Sequence, residues 1–547
     1  MVNTIFDSEK KIWSCPDNPS PLFHEKVTLG RAVLYLLNMN PEKVCQISAD
    51  DGSKRTNGEI YLSTLKIAFN LQKLGCAKGD VVGFICRNSH DLTPAFLAAL
   101  FLGAPPNALD VAFTKEEIVH MFKTTLPKFV FCDYDNVMKV QLSLSHIDSD
   151  AKIIVIGRRA PNFAHIEDLL DDGGNLMDIL KLAVIAPEVD RKSCGAIICS
   201  SGTTGLSKGV AISHEVLQLM FTRISMRQFV ESTDCAFNFS SLYWLSGYII
   251  LFMGLFMGIP RIITTKPFSP ELFLSIVKKY KVSICFSSPS NVSELLNCPQ
   301  LNRDSLASIK GYLCSGSLIT NELYSKIRNY LTNGLLLMGY GMTECGTVSF
   351  NNLPSDKVHA GQLSFGVRVK ILDKPAKQLG IGEDGEICLK SPTQFLGYYR
   401  SPEATAEILD DDGWIHTGDI GHFDEDGNLN ISGRCKDMFK YSNYHISPGE
   451  IEEILESHPE VLQAVVVGIP DPVHIDLPAA IVVRKSSSVS EDELIKLVQG
   501  RVMDFKRLRG GVFFVNELPM TVSGKIKRAE ATKLAIELYS KKIVSKL

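Results

Sequence analysis

The chain carries one stretch rich in hydroxyls and glycines: Cys199-Ser200-Ser201-Gly202-Thr203-Thr204-Gly205-Leu206-Ser207-Lys208-Gly209-Val210. It follows an apolar run, Ala196-Ile197-Ile198, which predicts a buried strand that ends in a loop. Glycines let backbone N–H groups turn toward an anion, and the hydroxyls and Lys208 add further donors. The loop therefore suits a polyphosphate, although a polar surface turn has the same composition. It is not a Walker A loop, because there Lys directly follows Gly and Ser or Thr directly follows Lys.

Four further motifs follow in chain order: Tyr340-Gly341-Met342-Thr343-Glu344, Thr417-Gly418-Asp419, Gly433-Arg434 and Ser523-Gly524-Lys525. Together with 199–210 they resemble the motif set of the adenylate-forming superfamily. That superfamily includes acyl-CoA synthetases, 4-coumarate–CoA ligases, beetle luciferases and peptide-synthetase adenylation domains. The resemblance covers nearly the whole chain, and it is greatest to insect luciferase-like fatty acyl-CoA synthetases.

Length and composition restrict the class of protein. With 547 residues, 45% of them hydrophobic and 22% charged, the chain is typical of a soluble globular protein of two to four domains. The formal net charge of −4 argues against a nucleic-acid binder, which would carry a basic face. Fourteen cysteines are scattered without a CxxC pair, so their spacing predicts neither a zinc site nor a disulfide framework.

One segment, 242–259, is apolar enough and long enough to span a bilayer. Its flanks, Asp234 and Arg261, show no basic bias toward one side. A helix that is apolar all round can also be the buried helix of a large protein. We therefore expect a buried helix and no membrane span.

Strand and helix patterns alternate through 27–100, and buried strands recur at 129–132 and 152–156. This alternation predicts a parallel sheet with crossover helices, and a second α/β unit follows from 242 to 341. Strand-to-glycine turns are expected at three places, 199–205, 314–317 and 338–341. Because ligands of open α/β sheets bind at the carboxyl ends of strands, these turns could converge on one nucleotide.

The predicted fold class is α/β, with a large N-terminal domain of α/β subdomains, a small mobile α+β C-terminal domain and a hinge between them. Residues 361–433 alternate as short strands with Gly-Asp turns, which predicts a small antiparallel β subdomain at the end of the first domain. The domains are expected at 1–433 and 438–547, and the resemblance implies a hinge at 434–437 that contains Lys436. In the second domain a capping box of Ser490 and Glu493 should open a helix, and a last helix should begin near Arg528.

The resemblance implies a set of nucleotide-binding residues: Ser200, Ser201, Gly202, Thr203, Thr204, Gly205, Lys208, Ser315, Gly316, Gly339, Tyr340, Gly341, Thr343, Asp419, Arg434 and Lys525. Within it Tyr340 would form the adenine slot with its flanking glycines, and Asp419 would bind the two ribose hydroxyls. Glu344 would hold Mg²⁺, a hard ion that prefers carboxylate oxygens. Taken alone, Glu344 also fits a charge at a helix N-terminus, and Asp419 a simple turn residue.

The catalytic residues that the resemblance implies are Lys525, Glu344, Thr343 and Lys440. Lys525 lies in a basic turn, and most such lysines are solvated surface groups. As the adenylation lysine it would bridge the acyl carboxylate and the α-phosphate of ATP in the transition state. Because it lies on the small domain, the site would be complete only when the two domains close.

The candidate substrate-binding residues are Tyr243, Trp244, Gly247, Tyr248 and Gly316. Relatives commonly carry His where this chain has Trp244, and an indole ring cannot act as a base. If the segment is helical from 244, Trp244, Tyr248 and Phe252 share one face and form a wall for an apolar tail. A second departure is Asn443, where relatives carry Gly. Asn tolerates positive φ, but its side chain predicts a narrower path for pantetheine.

We therefore expect an ATP-dependent acid–CoA ligase that activates a fatty or other apolar carboxylic acid through an acyl-adenylate, with ATP, Mg²⁺ and coenzyme A as cofactors. Two alternatives remain open: a luciferase that oxidises an adenylated luciferin, and a non-catalytic nucleotide- or acyl-binding protein. The final Ser545-Lys546-Leu547 matches the peroxisomal address, so the peroxisome and its import receptor are expected.

Overall fold

The computed structural model describes residues 4–17, 23, 27–171, 175–184, 188–200, 207–222, 230–317, 319–351, 358–373, 377–442, 444–521 and 525–544. Four features named above lie outside these residues: most of the hydroxyl-rich loop, Asn443, Ser523-Gly524 and Ser545-Lys546-Leu547. The predictions for Ser201, Gly202, Thr203, Thr204 and Gly205 therefore concern residues outside the described part of the chain.

Two large sheets form the first part of the molecule. Within the described ranges, one has nine strands, in the spatial order Gln362–Leu363, Gly346–Asn351, Leu335–Met342, Gly311–Cys314, Ile284–Ser287, Ala236–Phe237, Arg261–Ile263, Val44–Ser48 and Lys54–Thr56. The other, counted over the same residues, has eight: Gly397–Tyr398, Lys208–Ser213, Cys194–Ser200, Pro106–Ala108, Val82–Ile85, Phe129–Asp133, Lys152–Ile156 and Ala164–His165. The central pairs of both sheets are parallel, and antiparallel strands lie at both edges of the nine-stranded sheet and at one edge of the eight-stranded sheet. The predicted parallel sheets with crossover helices are confirmed.

Helices cover these sheets. The α-helices of the described chain are Leu29–Met39, Asn57–Lys73, Leu92–Leu102, Lys115–Thr125, Val137–His146, Ile166–Asp171, Leu176–Val184, His214–Thr222, Leu245–Met257, Pro270–Tyr280, Pro289–Leu296, Asn321–Arg328, Pro402–Ala406, Pro448–Glu456, Glu491–Gln499 and Arg528–Val544. Short 3₁₀ turns occur at Tyr134–Asn136 and Asp504–Lys506. Helix Leu92–Leu102 is buried on all sides, because it packs between a sheet and other helices.

The apolar segment 242–259 contains the helix Leu245–Met257, which ends at Gly258 in the left-handed conformation. Its side chains belong to two hydrophobic clusters of the N-terminal domain, so the predicted buried helix is confirmed. In the part of the chain that the structure describes, helices fall short of the length and apolarity that a membrane crossing needs.

A third, antiparallel sheet forms the predicted β subdomain. Its strands, as far as the described residues go, are Ile5–Asp7, Ile12–Ser14, Arg368–Leu372, Gly385–Lys390, Ile415–Phe423 and Leu429–Arg434. The N-terminal hairpin was not predicted, because its strands are only three residues long. It joins the sheet through Trp13, whose ring is stacked between Phe6 at 4.3 Å and Phe423 at 4.4 Å between ring centroids.

The C-terminal domain has its own sheet and its own core. The sheet consists of Tyr444–Ile446, Phe439–Tyr441, Ile475–Arg484, Val461–Asp471 and Gly511–Val515, the last paired in parallel with Ile475–Arg484. Helices Pro448–Glu456 and Glu491–Gln499 cover one face, and helix Arg528–Val544 covers the other. The expected hinge at 434–437 lies between the last strand of the third sheet and the first strand of this one, and its movement stays a prediction.

Two local expectations are wrong. No turn forms at 338–341, because strand Leu335–Met342 runs through these residues and pairs with Gly346–Asn351. The capping box is only half formed: Ser490 Oγ accepts from the backbone N–H of Glu493, but the Glu493 carboxylate faces His458 Nε2 at 3.3 Å. The last helix begins at Arg528, as expected.

The stacking of Trp13 gives a prediction about stability. Replacing the 3% exposed indole in Trp13→Ala should lower the free energy of unfolding of the N-terminal domain by about 3–5 kcal/mol, since a large buried ring leaves a cavity. Urea unfolding followed by circular dichroism measures it. The matched control is Ile5→Ala on the same hairpin, where the side chain is 53% exposed and the change should be small. Equal effects of the two substitutions would contradict the proposed anchoring.

Candidate active site

A continuous cleft of about 3380 Å³ lies between the N-terminal sheets and the C-terminal domain. Most of the predicted site residues that the structure describes line it: Ser200, Lys208, Ser315, Gly316, Gly339, Tyr340, Gly341, Thr343, Glu344, Asp419, Arg434, Lys525, Tyr243 and Trp244. Three predicted residues, Lys440, Gly247 and Tyr248, are not among the lining residues. The cleft thus brings together groups that are up to 325 positions apart, from Ser200 to Lys525.

Glu344 lies in the tight turn that connects strands Leu335–Met342 and Gly346–Asn351, and it is buried, with 5% of its surface exposed. Its Oε1 accepts a hydrogen bond of 2.7 Å from the hydroxyl of Tyr398. Burial raises the pKa of the Glu344 carboxyl, while the Tyr398 hydroxyl, by donating to the ionised form, opposes that rise. Arg434 and Lys208 also favour the ionised form through their charge.

Tyr398 is the residue that sequence reasoning missed. It lies on strand Gly397–Tyr398 at the edge of the eight-stranded sheet, paired with Val210. The Lys208 ammonium lies 4.9 Å from the centre of its ring and 3.2 Å from Glu407 Oε2. A tyrosine in a short strand looks like a residue that stabilises a sheet, so no pattern in the sequence pointed to its role beside Glu344.

Asp419 has a partner for each of its carboxylate oxygens. The Tyr340 hydroxyl donates to Oδ2 at 2.7 Å, and Arg434 Nε lies 2.9 Å from Oδ1. Asp419 and Arg434 are directly paired on neighbouring antiparallel strands, so the sheet itself fixes the ion pair. Burial and the charge of Asp419 hold the pKa of the Tyr340 hydroxyl well above its usual value, so that this hydroxyl stays a donor.

Two glycines shape the wall beside Tyr340. Gly316 has φ +105°, and apart from its chain neighbours none of the described residues has a heavy atom within 4 Å of where its Cβ would be, so the turn is open toward them. At Gly341 a Cβ would lie 2.4 Å from the carbonyl oxygen of Gly346, so no side chain fits there. The Ser315 hydroxyl donates to the Gly339 carbonyl at 2.7 Å and so joins the end of strand Gly311–Cys314 to the neighbouring strand Leu335–Met342.

Lys525 is half-buried in the cleft rather than a solvated surface group. Its backbone N–H donates to Thr521 Oγ1 at 3.0 Å, and its carbonyl accepts from the backbone N–H of Thr521 at 2.7 Å. Burial and the positive charge of Arg434 lower the pKa of the Lys525 ammonium, while Asp419 and Glu344 act in the opposite direction. The ammonium therefore lies within the field of both buried carboxylates.

The C-terminal domain is held in this position by polar contacts. Asn321 Nδ2 donates to Glu453 Oε1 at 2.6 Å, and Ser447 Oγ donates to the Ser432 carbonyl at 2.9 Å. Lys440 is exposed on this domain. Its backbone N–H donates to Asp476 Oδ2 at 3.1 Å.

The expected shared face of Trp244, Tyr248 and Phe252 is wrong. Trp244 has an extended backbone and caps the helix Leu245–Met257 instead of belonging to it. Tyr248 is 1% exposed, with its ring 5.1 Å from Phe96 in the core.

Trp244 is half-buried and its ring lies edge-on to Tyr243 at 4.5 Å between centroids, lining the cleft. The helix turns a different face toward the cleft, formed by Leu245 and Ile249, and Met253 on the same face is buried behind them. Phe286 and Leu313 extend this apolar surface from the nine-stranded sheet. Gly247 packs against the preceding loop, since a Cβ there would lie 2.1 Å from the Ser241 carbonyl oxygen.

Comparison with known protein families finds two matches. The AMP-binding enzyme family matches residues 36–399, and the AMP-binding enzyme C-terminal domain matches residues 450–525. Among curated proteins, "Probable 4-coumarate–CoA ligase 2" of Dictyostelium discoideum is 32% identical over 533 residues, which cover 93% of this chain and 95% of that protein.

Two solved structures extend the comparison. ATP-bound MatB from Rhodopseudomonas palustris has a TM-score of 0.81 at 24% identity and covers 94% of this chain and 100% of its own, a likeness of fold. The luciferase-like enzyme of the nonluminescent Zophobas morio mealworm has a TM-score of 0.69 at 28% identity over 78% of this chain and 99% of its own. The chain thus belongs to the AMP-binding enzyme family, the adenylate-forming superfamily, and its place there is among the ATP-dependent acid–CoA ligases.

Proposed function

We propose that this chain uses ATP and Mg²⁺ to join a carboxylic acid with an apolar tail, a fatty acid, to coenzyme A through an acyl-adenylate. One arrangement carries the proposal: Arg434 and Lys208 act by charge on the buried Glu344, and Lys525 lies within the field of Glu344 and Asp419, in a cleft that apolar side chains also line. Formation of CoA thioesters from a panel of acids, with 4-coumarate and luciferin as comparators, is the direct test.

The cations suit the first half-reaction. In adenylation a carboxylate attacks the α-phosphate of ATP and pyrophosphate leaves, so two anions must be brought together and their charge neutralised. Lys525 and Arg434 would stabilise the charge that develops on the α-phosphate oxygens. Asp419, already held by Tyr340 and Arg434, offers fixed acceptors to the ribose hydroxyls without any rearrangement.

Glu344 fits a magnesium ligand, because its carboxylate oxygens are hard donors at the edge of the cleft. When bound, the ion would neutralise phosphate charge. Tyr398 orients the carboxylate through its hydrogen bond to Oε1.

The apolar part of the cleft lining supports an acid with a hydrocarbon tail. Leu245, Ile249, Phe286 and Leu313 offer carbon surfaces, and Trp244 adds an indole ring. Each methylene buried against such a surface contributes about 0.8 kcal/mol.

Thioester formation would follow a rearrangement of the C-terminal domain about the hinge near Lys436, which would bring the Lys440 region to the cleft. Peroxisomal import through Ser545-Lys546-Leu547 is part of the proposal, and deleting these residues should leave a tagged protein outside peroxisomes. Luminescence with luciferin and ATP–pyrophosphate exchange test the luciferase and the non-catalytic alternatives in the same preparation.

Lys525→Ala should abolish formation of acyl-AMP from acid and ATP, because the removed ammonium would otherwise stabilise the charge that develops on the α-phosphate. Thioester formation from supplied acyl-AMP should stay within a few-fold of the original rate. Lys527→Ala is the matched control, since Lys527 is an exposed neighbour paired with Glu530 at 3.1 Å. Equal loss of both half-reactions in Lys525→Ala would contradict a role restricted to adenylation.

Tyr398→Phe should move the acid limb of the pH profile of ATP–pyrophosphate exchange to higher pH. The reaction would need ionised Glu344, so the rate rises as pH rises through the pKa of that carboxyl. Without the hydroxyl donor that pKa rises further. Loss of a hydrogen bond to an ion, about 1.5–3 kcal/mol, should also cost about tenfold or more in rate. Tyr399→Phe serves as control, and an unchanged acid limb in Tyr398→Phe would refute the positioning role.

Trp244→Ala should shift the optimum of kcat/KM toward longer fatty acids, because it removes the indole ring from the apolar lining of the cleft and leaves room for a longer tail. Specificity should rise a few-fold per methylene up to the optimum and then fall. Tyr248→Phe, at a core position away from the cleft, should keep the original profile. Identical optima in the original chain and Trp244→Ala, or a preference for 4-coumarate over every fatty acid, would overturn the proposed substrate class.

A further inference from the structure

A cluster of potential metal-ligating groups lies on the third sheet and does not include Glu344, the predicted magnesium ligand. Glu386, Cys388 and His416 each offer one ligand atom, and these atoms lie within 4.8 Å of one another. Glu386 and Cys388 are two positions apart on one strand, and Cys388 is directly paired with His416 on the next. The antiparallel register therefore brings the three side chains to one face of the sheet.

We propose that Glu386, Cys388 and His416 form a binding site for a thiophilic divalent cation such as Zn²⁺. His416 Nδ1 lies 3.4 Å from Cys388 Sγ and 3.3 Å from Glu386 Oε2. In a tetrahedral Zn²⁺ site, the usual metal–ligand lengths place nitrogen and sulfur ligands about 3.5 Å apart and nitrogen and oxygen ligands about 3.3 Å apart. Two of the three distances between ligand atoms thus match those of a zinc tetrahedron, and the third, between Cys388 Sγ and Glu386, is no longer than 4.8 Å.

The surroundings are those of a histidine that ligates through Nδ1. The other ring nitrogen, His416 Nε2, lies 3.5 Å from Asp410 Oδ2, and a carboxylate at that position is the usual outer partner of a metal-bound imidazole. Glu386 is likewise fixed, since its second oxygen accepts from the backbone N–H of Gly418 at 3.2 Å. One nitrogen, Nδ1, faces both a thiol and a carboxylate, which is the arrangement of ligands around a common ion.

Charge and access favour a cation as well. Glu386 and Asp410 bring two carboxylates to one imidazole, and Lys370 reaches Asp410 at 3.8 Å. A thiolate ligand favours a soft divalent cation over Mg²⁺. The His416 side chain is 33% exposed and His416 lines the cleft, which gives the ion a path of entry.

An ion at this site would act on the predicted ribose-binding residue Asp419 through the carboxylate of Glu386. Glu386 would ligate the metal with one oxygen and hold the Gly418 amide with the other. Gly418 directly precedes Asp419, so the ion and the predicted ribose-binding carboxylate are joined by a short, fixed path.

Co²⁺ titration of the chelator-treated full chain tests the site, since a cobalt–thiolate bond gives a charge-transfer absorption band. We expect this band at one equivalent of Co²⁺, its loss when Zn²⁺ displaces the cobalt, and no displacement by millimolar Mg²⁺. Cys388→Ala should abolish the band, and Glu386→Gln, which keeps an acceptor for Gly418, should weaken binding about tenfold. The matched control is His422→Asn, a histidine of the same strand that pairs with Asp384 at 2.8 Å without a cysteine, and it should bind Co²⁺ normally.

The proposal fails if the original chain shows no thiolate band, or if the band persists in Cys388→Ala, because another of the fourteen cysteines would then be the ligand. Thermal melting establishes whether each variant is folded. If Cys388→Ala does not fold, His416→Asn decides: a retained tetrahedral cobalt spectrum overturns the site, and a loss at unchanged folding supports it.

Discussion

Two hydrogen bonds between a tyrosine and a buried carboxylate hold this cleft together, and each one crosses from one sheet to another. Tyr340 of the nine-stranded sheet donates to Asp419 of the antiparallel sheet, and Tyr398 of the eight-stranded sheet donates to Glu344 beside the nine-stranded one. Both are 2.7 Å long. Hydrogen bonds to ionised acceptors are the strong ones, and leaving a buried carboxylate without them is costly. The three sheets are therefore fixed to one another at the place where charge has to be controlled.

This arrangement explains how two buried carboxylates can be kept in a cleft whose expected substrates are themselves anions. Each carboxylate accepts a hydrogen bond from a neutral donor and has a cation nearby, so its oxygens have partners before any ligand binds. The cations come from separate parts of the chain: Lys208 from the hydroxyl-rich loop, Arg434 from the end of the third sheet and Lys525 from the C-terminal domain. A site built in this way is preorganised for charge that develops during a reaction.

Much of the architecture could be predicted because it depends on local pattern. The alternation of apolar runs and helical stretches gave the two α/β sheets, and the apolar segment 242–259 was correctly expected to be a buried helix. The failures came from long-range effects. Whether Gly339 and Gly341 lie in a turn or a strand depends on pairing with Gly346–Asn351. Trp244 differs from Tyr248 because the helix begins one residue after it, and helix ends are poorly specified by sequence. Tyr398 and the Glu386–Cys388–His416 cluster depend on strand register, which leaves no motif of fixed spacing.

The connection between the two domains has a consequence for how Lys525 reaches its partners. Only residues 435–438 separate the strand that ends at Arg434 from the strand that begins at Phe439, a span of at most about 14 Å. The C-terminal domain is thus attached by a very short connection. That connection begins at Arg434, the residue that forms the ion pair with Asp419. A short tether of this kind sets an effective concentration in the millimolar range for everything the domain carries. The predicted movement of the domain would therefore carry Lys525 by rotation about a fixed point rather than by diffusion, with Arg434 beside Asp419 as that point.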